Sequence, residues 1–265
     1  MSVSHKEAVM NQAVTVSREG AFATITLTNP AKRNALSMDV LRALTDAFSE
    51  VSHSDVRGII LAAEGPVFSA GHNFGEMKDT TRENAQELFD VCSHLMQLMH
   101  TIDQPVIARV HALATAAGCQ LVASCDLAVA ARSASFAIPG GKGGLFCHTP
   151  LVAVGRSLSP KRALEMAMTG DPITAETAYV WGFINAVVND DDLDSAVLEL
   201  LARATRGSTE SKALGKRAYY EQIRMTEPDA YAFASAVMAD AVVSWPAQEG
   251  ISAFLEKRHT EFGDR

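Results

Sequence analysis

The chain predicts an α/β fold in which a mixed strand and helix region is followed by helices alone. Two observations carry this: strand-like runs and amphipathic helical stretches alternate from residue 14 to about residue 190, and from Asp190 onward only helical patterns remain. With 265 residues, 48% of them hydrophobic and 20% charged, the chain has material for one large core with a helical appendage.

Taken in order, the segments 14–19 and 21–28 alternate apolar and polar residues on either side of Glu19-Gly20, which predicts an antiparallel hairpin. From Met38 to about Val51 the apolar residues Met38, Leu41, Leu44, Ala47, Phe48 and Val51 recur at helical spacing, with Ser37 as N-cap. Gly58-Ile-Ile-Leu-Ala-Ala reads as a buried strand, and the Gly-, Pro- and Ser-rich stretch 65–73 as a loop. A helix is expected over about 84–101, with Leu88, Phe89, Cys92, Leu95, Met96 and Met99 as its apolar stripe. A strand over 105–110, a short helix from about Ala116 to Ala123 and strand-like runs at 126–131 and 135–138 follow. Helices are expected at roughly 191–206, 208–222, 228–243 and 246–258, and they can bury their stripes only on the preceding core or on another subunit.

A formal net charge of -8 argues against a nucleic-acid surface, which needs clustered Lys and Arg. The four cysteines, Cys92, Cys119, Cys125 and Cys147, lack C-x-x-C spacing and sit among apolar residues, as reduced buried thiols do. Residues 1–10 lack an apolar stretch of signal-peptide length and no later run is long and apolar enough for a membrane span. A cytoplasmic protein with small-molecule or subunit partners, and no nucleic-acid or membrane partner, is therefore expected.

Four segments carry the chemistry. They are Phe68-Ser-Ala-Gly-His-Asn-Phe-Gly-Glu-Met, the run from Pro105 through Ala116-Ala117-Gly118-Cys119-Gln120 to Asp126, Ser135-Phe-Ala-Ile-Pro, and Glu249-Gly-Ile-Ser-Ala-Phe-Leu-Glu-Lys-Arg. In order and spacing they resemble the enoyl-CoA hydratase/isomerase (crotonase) superfamily, over about residues 14–261. The run 112–126 with Gly144-Leu-Phe-Cys looks most like the branch of enoyl-CoA hydratase domain-containing protein 3.

The resemblance implies a crotonase (ClpP-like) spiral of strand-strand-helix units as an acyl-CoA-binding core over 1–195. It also implies a helical trimerisation region over 196–265, giving a homotrimer or a hexamer of paired trimers. An acyl-CoA thioester would place its carbonyl between the backbone N–H groups of His72 and Ala117, an oxyanion hole in which small neighbours permit close approach. Arg33 and Ala35 would line the nucleotide end, Ala70, His72, Asn73 and Phe74 the thioester loop, and Phe254 and Lys257 the CoA phosphates, from the same or a neighbouring subunit. No cofactor is expected beyond the coenzyme A of the substrate.

The two glutamates that hydrate an enoyl thioester in the family correspond to Gln120 and Gly140. Losing a positioned acid/base group costs ~10²–10⁴-fold in rate, so hydration in the usual manner is not expected here. An enolate step such as decarboxylation of a malonyl-type thioester needs no base, and Ser69-Ala-Gly-His resembles the corresponding loop of methylmalonyl-CoA decarboxylase. His148, beside Cys147, is a further candidate for a catalytic or orienting side chain, whereas His111, at the end of a strand, reads as structural. A non-catalytic acyl-CoA binder and a structural subunit remain as alternatives.

Overall fold

The glycine-punctuated alternation from residue 14 to about residue 190 folds as successive turns of a spiral, each supplying one strand to a large sheet, one short strand or bridge to a second sheet, and a helix. The computed structural model describes residues 13–262; the reading of residues 1–10 and the end of the 196–265 segment lie outside them. The hairpin is β1 (Val14–Glu19) and β2 (Phe22–Leu27), with Gly20 in the left-handed region at φ 57°. Helix α1 (Met38–Ser52) follows, capped by the Ser37 hydroxyl, which accepts from Val40 N–H at 3.3 Å.

Next come β3 (Gly58–Ala63), a one-turn α2 (Phe74–Met77), α3 (Arg82–Thr101), β4 (Val106–Val110), β5 (Ala114–Thr115) and α4 (Ala117–Ala123). Helix α3 starts two residues earlier than its apolar stripe suggests, because Thr81 caps it by accepting from Asn84 N–H. After β6 (Leu127–Ala131) and β7 (Ser135–Ala137) lie α5 (His148–Ser157), α6 (Pro160–Thr169), β8 (Ile173–Thr174), α7 (Ala175–Val180) and β9 (Ala186–Val188). The chain closes with α8 (Leu193–Ala204), α9 (Thr209–Gln222), α10 (Glu227–Val242) and α11 (Trp245–Glu256).

The large sheet has the order β1-β2-β3-β4-β6-β9, parallel except for the β1–β2 hairpin. The small sheet runs β5-β7-β8 and is extended by the bridge from Ser69 to Ala114. One face of the large sheet meets α1, α3 and α4 around Ile25, Leu44, Phe48, Phe68 and Phe136; the other is covered by α8 through Leu193, Val197 and Leu201 packed on Ile60, Ile107 and Val129. Burial on both faces explains why β3 is apolar at every position instead of alternating. A boundary at 195/196 thus falls inside α8, which belongs to the sheet's second face.

Helix α9 is fastened to the core by a buried ion pair, Lys216 Nζ to Asp126 Oδ2 at 2.7 Å, with side-chain exposures of 10% and 13%. Tyr220 donates to the other Asp126 oxygen at 2.9 Å, and Lys216 also donates to Gln104 O at 2.8 Å. Burial pulls the Lys216 ammonium below its ordinary value while Asp126 opposes that shift. Helix α10 buries none of its side chains. All four cysteines are free and buried, and among the described residues no helix is long and apolar enough to cross a membrane.

Candidate active site

Three chain segments meet at the edge of the small sheet because their backbones bond to each other. Asn34, buried and in the left-handed region at φ 50°, accepts from Asn29 N–H at 3.0 Å and donates to Glu64 O at 2.7 Å and Val67 O at 3.1 Å. Ser69, fully buried, donates its hydroxyl to Asn34 O at 2.8 Å and accepts from Gly71 N–H at 3.2 Å. Ala70 N–H reaches Arg33 O at 3.0 Å, Leu36 N–H reaches Gly71 O at 2.8 Å, and Thr115 N–H reaches Ser69 O at 3.0 Å. Loop 33–36, loop 69–72 and the 115–120 segment are thereby held side by side.

Small residues at this junction are a steric requirement. A Cβ added to Gly118 would stand 2.5 Å from Ser69 O. One added to Gly71, itself at φ 83°, would stand 2.8 Å from Ala116 Cβ and 3.1 Å from Ala117 N. The absent side chain of Gly71 therefore leaves the Ala117 N–H, at the first position of α4, uncovered. Ala116 precedes it at φ 51°, ψ -120°, a conformation that costs an alanine of order 1–3 kcal/mol and is held by its N–H bond to Ala137 O at 2.9 Å. Neither His72 N–H nor Ala117 N–H has an acceptor among the described residues.

The His72 side chain points elsewhere than its N–H. Its Nδ1 lies 3.3 Å from Leu36 O, its ring meets Phe89 edge-on at 5.4 Å, and its buried Nε2 has no partner. Burial pulls the imidazole below its ordinary value, more than the Leu36 carbonyl and Glu76 raise it, so the ring is neutral near pH 7. Asn73 caps α2 by accepting from Gly75 N–H at 3.0 Å, and Phe74 is largely exposed beside it. Glu76, one residue further, accepts from Met38 N–H at 3.0 Å and so ties α2 to the start of α1.

Gln120 sits one helical turn beyond Ala117, 4% exposed, and its Oε1 is buried without a partner. It also lines a cavity of about 590 Å³ between α3, α4, α5 and α9. His72 and Ala117 do not line that cavity, whereas Gln120, one turn further along α4, does.

Gly140 has no room for a larger residue. A Cβ there would lie 2.1 Å from Leu145 O and 2.7 Å from Cys147 Sγ, because Leu145 N–H bonds back to Gly140 O at 3.0 Å and Gly140 N–H to Cys147 Sγ at 3.2 Å. The 139–147 turn thus fills the space beside Gly140 with a carbonyl and a thiol. His148 has an exposed ring tilted on Phe146 and does not line the cavity, whose α5 wall includes Thr149, Val152, Ala153 and Arg156. The His148 ring is exposed at the first turn of α5.

The structure brings Arg33, Ala35, Ala70, His72 and Ala117 together, with the Arg33 side chain in solvent. Phe254, 83% exposed, and Lys257, in the left-handed cap of α11, stand on a helix that packs on α9 and α10, away from these loops. His111 Nε2 lies 2.8 Å from Gly65 O, and its Nδ1 is buried without a partner among the described residues. Sequence reasoning passed over Asn34, Ser69 and Cys147 as working parts. The signals were present in Asn34-Ala-Leu-Ser and Phe146-Cys-His, but polar residues inside small-residue runs look like ordinary turn residues.

The enoyl-CoA hydratase/isomerase family profile matches residues 17–265. A mouse (Mus musculus) protein, enoyl-CoA hydratase domain-containing protein 3, mitochondrial, is 44% identical over 243 residues, covering 91% of this chain and 81% of its own length. A crystal structure of enoyl-CoA hydratase from Mycobacterium smegmatis superposes with a TM-score of 0.92 at 42% identity, covering 95% of this chain and 99% of the other. That of human enoyl-CoA hydratase domain-containing protein 3 gives 0.91 at 40%, covering 94% and 100%. The mouse, rat and human relatives all carry "mitochondrial" in their names, which overturns the expectation of a cytoplasmic protein. Buried thiols and an acidic surface do not tell one reducing compartment from another.

Proposed function

This chain belongs to the enoyl-CoA hydratase/isomerase family, and from that premise we propose that it is an acyl-CoA enzyme of fatty acid metabolism acting through an enolate. The thioester carbonyl oxygen is held between the His72 and Ala117 backbone N–H groups. The observation that carries this reading is that both donors lack acceptors at the one place where Gly71 leaves the backbone open. A donor aimed at a developing oxyanion contributes roughly 3–4 kcal/mol.

Arg33 and Ala35 border the nucleotide end, and Ala70, Asn73 and Phe74 the thioester. Phe254 and Lys257 are supplied to this site by a neighbouring copy in a trimer or a hexamer. The large exposed side chains of α10 and α11, among them Tyr231, Met238, Val242 and Leu255, support such an assembly.

The closed position at Gly140 favours decarboxylation of a malonyl-type thioester over hydration. The bond between the α-carbon and the carboxylate carbon breaks, CO2 departs, and its electron pair enters the enolate held by the two donors; a proton then reaches the α-carbon. No base is consumed in the bond-breaking step, and Gln120 can orient but cannot transfer a proton as a glutamate would.

Calorimetric titration with crotonyl-, acetoacetyl- and methylmalonyl-CoA, followed by turnover assays on each ligand that binds, tests this. Thioester binding with CO2 release from methylmalonyl-CoA is expected. Binding without turnover would make the protein a sequestering binder, and absence of binding would leave a structural subunit. Rapid hydration of crotonyl-CoA would overturn the weight placed on the two replaced acids.

A further inference from the structure

We propose that the cavity behind Gln120 receives an acyl chain ending in a carboxylate, with Arg156 and Arg224 as its anchors. This rests on the acyl-CoA reading above and adds the class of acyl group. A carbonyl held at the Ala117 N–H sits one turn of α4 before Gln120, so a chain leaving it passes the Gln120 carboxamide and enters the space that α4 lines as far as Ser124. From Ala117 to Ser124 is about 10 Å at 1.5 Å rise per residue, which suits a chain of about six carbons. The volume of about 590 Å³ is that of a small-molecule site.

The lining does not suit a plain hydrocarbon tail. Ser93, Gln97 and His100 of α3 face the cavity alongside Met96, so an apolar chain would desolvate polar groups without pairing them. Charge decides what the far end carries. The one carboxylate in the wall, Asp126, is fully engaged: Lys216 Nζ lies 2.7 Å away, Tyr220 donates at 2.9 Å and Val106 N–H at 2.7 Å. Tyr220 is itself stacked on His100 at 3.9 Å, which closes that side.

The two arginines remain uncompensated. Both are exposed where they line the cavity, and among the described residues neither has a carboxylate within ion-pair distance; Arg156 donates to Val152 O and keeps further donors free. One stands on α5 and the other just after α9, so the cavity offers two guanidinium groups from different elements and no free negative charge. Planar N–H forks of this kind match a carboxylate better than any neutral group.

The experiment compares hexanoyl-CoA with adipyl-CoA, which share six carbons and differ at the distal methyl or carboxylate, by calorimetry on the full chain. Adipyl-CoA is expected to bind about tenfold or more tightly than hexanoyl-CoA, as for a hydrogen-bonded charged group. That ratio should shrink as salt is raised, and the Arg156→Gln, Arg224→Gln double variant should bind the two thioesters alike. Arg224→Lys, which keeps the charge and loses the fork, should retain part of the preference. Equal binding of the two ligands by the unaltered chain, or a preference that persists in the double variant with its circular dichroism unchanged, overturns the proposal. If hexanoyl-CoA binds and adipyl-CoA does not, this inference alone falls; if neither binds, the acyl-CoA reading falls with it.

Discussion

Replacing Gly71 by alanine tests the proposed oxyanion role of the Ala117 N–H. The added Cβ would stand 3.1 Å from Ala117 N, 3.0 Å from Thr115 O and 2.8 Å from Ala116 Cβ, so it occupies the approach to the Ala117 N–H. Blocking one such donor costs about 3–4 kcal/mol in the transition state, or roughly 10²–10³-fold in turnover. The same contacts also cost stability, which is read separately. At φ 83° an alanine pays about 1–2 kcal/mol for its backbone conformation, which lowers the melting temperature by a few degrees in a chain of this size. The assay pairs a thermal melt with steady-state turnover of the thioester found by titration. A Gly71→Ala protein that melts a few degrees lower yet keeps its turnover within threefold would refute the assignment of Ala117 N–H to the oxyanion.

The Gln120→Glu, Gly140→Glu double variant should gain no crotonyl-CoA hydration and should lose stability, because a side chain at 140 meets Leu145 O at 2.1 Å; loss of enoyl absorbance and a melt read both outcomes. Lys216→Ala leaves Asp126 buried and unpaired, so urea unfolding should show a loss of about 3–5 kcal/mol, with Lys216→Met no better because the acid remains. Stability should also fall on the alkaline side. Burial raises the Cys92 thiol to about 12 in the folded protein while the unfolded thiol titrates near 8.5, so the unfolded state sheds protons first and stability falls between those values; Cys119, Cys125 and Cys147 are raised in the same way, so Cys92→Ala should lessen that limb of a melting-temperature profile without removing it. On the acid side, His72 is held below its ordinary value, so stability should drop as pH falls beneath about 6.5, and His72→Phe should lessen the drop.

Much of the frame was legible because it rests on local patterns. Ser37 as a cap, Gly20 as a hairpin turn and the six apolar positions of β3 each follow from rules that act within a few residues. The stretch 139–190 was not legible at the same detail. Its two short strands, β8 and β9, are two and three residues long and take their pairing from β7 and β6, so no period can accumulate within them. The site divides in the same way. Small residues at 71 and 117 are visible in the sequence, yet their purpose depends on Asn34 and Ser69 bonding across separate loops, and spacing along the chain does not reveal such pairings.

Gln120 and Gly140 differ in kind, although the family resemblance places both where a glutamate would stand. Gln120 keeps the size and position of a glutamate and loses only its ability to take a proton, so a single Gln120→Glu change is sterically neutral. Gly140 is fixed by its surroundings: Leu145 O, Cys147 Sγ and the return hydrogen bonds of the 139–147 turn leave no path for a side chain. Restoring an acid there requires a different loop, so the chemistry cannot be recovered one residue at a time. The donors at His72 and Ala117 are independent of that loop, being set by Gly71, Ala116 and the bonds to Arg33, Ser69 and Ala137. Proton transfer and oxyanion binding are therefore separable in this architecture. A Gln120→Glu variant should change the pH dependence of any turnover by adding a carboxylate to the cavity, while thioester affinity measured by titration stays within about threefold of the parent; a tenfold loss of affinity would show that the Gln120 carboxamide itself holds the ligand.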